Sequence, residues 1–132
     1  MAFNQNINPQ WVHKPVTQEV INWCEKFGEY LAEEVKDNNG NVVVKAMTTT
    51  QLRKFFGEVK RIEMNGFNLS EFIMLNPLLA YAAGREKEKA KLKDFQKQMS
   101  IAIREVKDEK DFENFVNIFE AIVAYHKCYG GK

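Results

Sequence analysis

Four cations, Arg53, Lys54, Lys60 and Arg61, lie within one short stretch around Gly57. Guanidinium and ammonium groups so placed can contact the oxygens of an anionic backbone such as phosphate. At about 100° per residue they fall on one arc of a helix, with Gly57 near its middle. Leu52, Phe55, Phe56, Val59 and Ile62 form an apolar stripe on the opposite arc. A glycine between cations leaves room for a polyanion to come close. The same residues also fit a solvated basic face that tolerates a glycine. A second basic run starts at Arg85 and reaches Lys97, with Tyr81 beside Arg85 as an aromatic outside the stripes. Most Phe residues occupy stripe positions. That favours phosphate contact over base stacking, and so binding without sequence preference.

Catalytic chemistry has little to work with. His126 stands on the apolar side of the last helical pattern, where a satisfied core histidine is expected, and His13 is the only other histidine. Cys24 and Cys128 each sit in a helical apolar pattern and read as free buried thiols of a reducing cytoplasm. Zinc-type spacing, a Walker loop, G-x-G-x-x-G and G-x-S-x-G are all missing from the sequence. Glu120 precedes His126 by six residues, so the Glu-x-x-His di-metal pattern is missing too. We expect no enzyme, no metal and no cofactor. With no signal peptide and no long apolar run, a cytoplasmic protein away from membranes is expected.

The elements that must hold these side chains read as helices. Residues 1–14 are polar and Asn-rich, a loose arm anchored by Trp11. Val20, Cys24, Phe27, Leu31 and Val35 mark a first helix over 17–37, ended by the turn formers Asp37–Asn41. Val42–Val44 has strand propensity, but no second strand-like run exists to pair with it, so an extended linker is expected. Thr48 and Gln51 stand at capping-box spacing and open a helix over 49–64. A third helix covers 68–83, with Asn68 and Glu71 at the same spacing and Asn76 capping a new segment after the Pro77 interruption. Further helices span 86–107 and 110–128, and Gly130-Gly131-Lys132 frays. The sum is an all-α single domain of 132 residues, a compact bundle of about five helices over 15–130.

Net charge is +1, but unevenly spread. Residues 1–44 hold 3 Lys/Arg against 6 Asp/Glu, residues 45–107 hold 13 against 7, and residues 108–132 hold 3 against 5. A basic middle between acidic ends suits a polyanion on one side and basic protein surfaces elsewhere.

Three segments in order, Thr49–Phe56, Leu78–Arg85 and Phe112–Lys127, resemble the small subunit of type III-A CRISPR effector complexes, the Csm small subunit. The resemblance implies an all-helical, non-catalytic protein. Its copies would stack head to tail along the inside of a ribonucleoprotein filament, on guide RNA and target RNA. Its neighbours would be the backbone ribonuclease subunits and a large polymerase/nuclease subunit. The matching basic positions are Arg53, Lys54, Arg61, Arg85 and Lys127; Lys60 joins them from the helical wheel alone. A helical protein–protein adaptor, its basic face meeting an acidic partner, is the alternative. A repeated subunit that meets any guide sequence must contact backbone rather than bases, which agrees with the basic face.

Overall fold

A computed structural model of the chain describes residues 3–85 and 90–132. Helices start where the sequence supplies caps. Thr17, Thr48, Asn68 and Asp108 each accept a backbone N–H three residues on, which satisfies a donor that the first turn leaves free. They open α1 (Gln18–Ala32), α2 (Thr49–Asn65), α3 (Leu69–Ile73) and α6 (Glu109–Cys128), while α4 covers Leu75–Arg85 and α5 covers Ala90–Glu105. At α2 the capping box is complete: Gln51 N donates to Thr48 Oγ1 at 3.1 Å, and Gln51 Oε1 accepts Thr48 N at 2.8 Å. The expected spans 49–64 and 110–128 fit within a residue at either end. The helix start expected at Glu86 lies outside the described residues.

Helices α1 and α6 run side by side in the same direction. The Cys24 thiol donates toward Ile118 O at 3.6 Å, and one turn on Gly28 meets Ile122, Tyr125 and His126. Burial pushes that thiol up to about 12, so Cys24 is an inert core group. Cys128, by contrast, is exposed, because it stands at the last turn where α6 leaves the core. The aromatic core closes around Phe95 of α5, whose ring lies 6.5, 5.9 and 5.6 Å from Phe27, Phe55 and Phe119. One side chain thus binds α1, α2 and α6 to α5, with several kcal/mol of burial at stake.

Besides the exposed Cys128, four further expectations need correction. The N-terminal arm is docked, not loose. It forms a 3-10 turn over Pro9–His13, and Ile7, Trp11 and Val12 are all buried. Its backbone finds partners on α1, α5 and α6: Ile7 N donates to Gln98 Oε1 (2.7 Å), Trp23 Nε1 donates to Gln5 O (2.7 Å), and Asn114 Nδ2 donates to Val12 O (2.9 Å). Second, α1 stops at Ala32, and Val35–Lys36 (β1) pairs antiparallel with Val42–Val44 (β2). Val35 lies on a helical stripe by spacing, which hid a two-residue partner strand. The turn Asp37–Asn41 closes this hairpin, with Asp37 Oδ1 accepting the N–H of Asn39 and of Asn41. Third, Asn76 is not a cap. Helix α4 begins at Leu75, Pro77 sits in its first turn where no N–H is needed, and the helix passes through Gly84 to Arg85. Fourth, the C-terminus does not fray at Gly131, which is buried against the His126 ring and donates its N–H to His126 O at 2.9 Å.

His13 clips the arm down. Its Nε2 lies 2.8 Å from Glu105 Oε1 at the end of α5, and its Nδ1 lies 2.9 Å from Asp111 Oδ1 in the first turn of α6. A protonated ring donates to both carboxylates, so hydrogen bonds to Glu105 and then Asp111 raise His13 above its usual 6.5. The His13 bond in turn lowers Glu105 below its usual 4.5. The raised histidine stabilises fully below pH 6.5 and loses that contribution as pH rises through its folded value. The lowered Glu105 contributes above pH 4.5 and loses it as pH falls through its folded value. A His13→Gln variant is therefore expected to trail the parent most between those two values, with the gap closing at higher pH. Denaturant midpoints across a pH series check this, and a gap that widens above neutrality would refute it.

Candidate nucleic-acid interface

The linker into α2 fixes where its basic turns point. Met47 N donates to Leu31 O at 2.8 Å, and Met47 O accepts from His126 Nε2 at 2.6 Å. A carbonyl can only accept, so the ring carries its proton on Nε2, and His126 is the satisfied core histidine expected. Leu52, Phe55, Val59 and Ile62 then bury one side of α2, which turns Arg53, Lys54 and Gly57 outward.

Six cations were expected at this face, and the structure sorts them. Lys54 and Arg85 line one hollow of about 120 Å³, with Gln51 and Phe55 from α2, Ala82 from α4 and Leu92 from α5. Arg53 lies next to Lys54 and one turn beyond Thr49. The Thr49 hydroxyl donates to Gly131 O at 3.2 Å, and Lys127 Nζ reaches the same carbonyl at 3.4 Å. Lys127 of α6 is thereby held beside the first turn of α2. Among the described residues no carboxylate forms an ion pair with Arg53, Lys54, Arg85 or Lys127.

Lys60 and Arg61 differ. Lys60 Nζ is 2.6 Å from Glu63 Oε1, while Arg61 Nε is 2.8 Å from Glu58 and its Nη1 is 3.5 Å from Glu71 of α3. These hydrogen bonds raise both cations above their usual pKa. They also set a carboxylate against each of these two cations at that end of α2. The i,i+3 spacings of Glu58–Arg61 and Lys60–Glu63 were legible in the sequence; the reach of Arg61 to Glu71 was not.

A second hollow, of about 430 Å³, opens between the far end of α2 and α3–α4, and sequence reasoning missed it. Ile62, Met74, Leu75, Pro77 and Leu78 line it, with Glu58, Arg61 and Glu71 among them as the charged residues. Nearby Ile73 and Met74 are exposed, as is Met64 at the end of α2. Among the described residues no helix is long and apolar enough to cross a membrane.

Fold and site together define a small, mostly helical protein with one basic end, free of ion pairs among the described residues, and one apolar cleft with a mixed-charge rim. Residues 16–132 match the family Csm2 Type III-A. The CRISPR system Cms protein Csm2 of Streptococcus thermophilus is 32% identical over 119 residues, covering 84% of this chain and 93% of that protein. No solved structure matches. The chain belongs to the Csm2 family, the small subunit of the type III-A CRISPR complex.

Proposed function

We propose that this chain is a non-catalytic subunit that lines the inner filament of a type III-A CRISPR ribonucleoprotein in cytoplasmic antiviral defence. It holds the backbone of the guide RNA–target RNA duplex without reading its sequence. Copies of it pack on one another beside the backbone ribonuclease subunits, and the large polymerase/nuclease subunit caps the assembly. Family membership supports the complex. The observation that carries the RNA contact is the meeting of Lys54 and Arg85 at one hollow between two helices, with Arg53 exposed next to Lys54 and no carboxylate neutralising the three among the described residues. Such cations are free to displace counterions from phosphates, a term that depends on salt and not on base sequence. Arg53 and Arg85 also suit the two-pronged contact that guanidinium makes with phosphate. The exposed Met64, Ile73 and Met74 support protein contacts along the other end of α2.

The test is retention of target RNA by the assembled complex at graded salt. Arg53→Glu with Lys54→Glu is expected to weaken retention about tenfold or more, equally for unrelated targets, and to flatten the salt dependence. Lys60→Glu is expected to do much less, since Glu63 already holds that ammonium. A double variant that assembles and keeps target RNA as well as the parent at physiological salt would overturn the site. The adaptor reading predicts that outcome, with loss of an acidic protein partner instead.

A further inference from the structure

Tyr81 offers the basic end something that phosphate contact leaves unused. It is 67% exposed, the most open aromatic side chain among the described residues. The other exposed aromatic, Tyr129, is anchored through its hydroxyl to Glu25 at 2.6 Å. Among the described residues the Tyr81 hydroxyl has no such anchor. A ring this open adds little to the core, and its apolar surface stays in water. One turn further along α4, the Arg85 guanidinium lies over the ring, 5.6 Å from its centroid. Arg85 also lines the hollow that Lys54 faces from α2. An aromatic ring, a planar cation over it and an ammonium across a small hollow therefore stand in sequence across the α2–α4 gap.

We infer that Tyr81 and Arg85 form a stacking platform for one unpaired base of an RNA whose adjoining phosphate is met by Lys54. The inference rests on the RNA-binding reading above and adds a base to it. Stacking suits the geometry because every nucleobase presents a flat π-face, and a platform of this kind accepts any base. A guanidinium already drawn to the tyrosine ring by the cation–π attraction is partly held in place, so less freedom is lost when a base joins them. A bare phosphate would use Arg85 and Lys54 but not the ring. A fully paired duplex presents no free π-face along its length, so the platform selects a bulged, splayed or terminal nucleotide.

Three RNAs separate these terms: a fully paired duplex, the same duplex with one bulged uridine, and the same duplex with an abasic bulge. Binding is read by fluorescence anisotropy at low salt. In parallel, photocrosslinking from 4-thiouridine at the bulge is mapped in the assembled effector complex. The parent is expected to prefer the bulged uridine over both other RNAs by roughly tenfold, the effect of one stacked base. Tyr81→Ala should bring that ratio close to one, Tyr81→Phe should keep it, and Lys54→Glu should weaken all three RNAs together. The crosslink should map to α4 and vanish in Tyr81→Ala. Equal binding of all three RNAs by the parent, with charge reversal still harmful, would overturn the platform and leave phosphate contact standing. Failure of any RNA to bind at low salt, with no α4 crosslink in the complex, would overturn both. A Tyr81→Ala variant that fails to assemble while its RNA preference persists would mark the ring as a protein contact and overturn the platform.

Discussion

Replacing Gly28 with alanine is expected to cost about 2–3 kcal/mol, whereas the same change at Gly57 should add up to about 1 kcal/mol. Both glycines are inside helices, where alanine is intrinsically the better residue. Their surroundings reverse the sign. A Cβ on Gly28 would lie 2.8 Å from His126 N, 2.8 Å from Tyr125 Cβ and 3.0 Å from Ile122 O. Two of those three are backbone atoms of α6, which cannot swing aside as a side-chain tip would. Relief requires α1 and α6 to separate, and that opens the contact where Cys24, Phe27 and Leu31 are buried. A Cβ on Gly57 meets nothing within 4 Å. The monomer has no use for glycine there, so any need for it comes from a partner that approaches α2 closely. Urea midpoints at constant m-value read the stability change. Equal stabilisation of both variants would refute the close α1–α6 contact. Gly57→Ala should also weaken RNA retention if the polyanion passes over that turn.

Deletion of residues 1–14 is expected to cost on the order of 5 kcal/mol, comparable to the whole stability of many domains. The estimate takes Ile7, Trp11 and Val12 at roughly 1.5–3 kcal/mol for each large side chain fully buried. Deletion also leaves buried Gln98 without Ile7 N and Asn6, and removes the carbonyl partners of Trp23 Nε1 and Asn114 Nδ2. Unpaired polar groups in a core add to the loss. The truncated chain should lose near-ultraviolet circular dichroism and its cooperative transition. A truncation that unfolds at the parent's midpoint would restore the loose arm. This segment lies wholly before residue 16, where the family match begins, yet its Ile7, Trp11 and Val12 belong to the core.

Most helices and caps were legible in the chain because both are local, although the expected helix over 68–83 is split into α3 and α4. Thr48 and Gln51 are three residues apart, and their bonds form wherever that spacing meets a helix start. The stripe Leu52–Phe55–Val59–Ile62 likewise needs only the helical period to predict its burial. The resemblance to the Csm small subunit rested on such local segments too, and the family match agrees with it. Tertiary structure alone decided contacts between residues far apart in the chain. Asn and Gln at the N-terminus look solvent-loving until Gln98 and Asn114 stand ready to pair with that backbone. Val35 follows the helical period, yet it pairs with Val44 once the Asp37–Asn41 turn folds the chain back. Six cations share a sign in the sequence, but the fold places Glu71 against Arg61 and sets Lys54 across a hollow from Arg85. Charge is written residue by residue; whether a cation is neutralised or left free depends on which carboxylates the packing brings within about 4 Å.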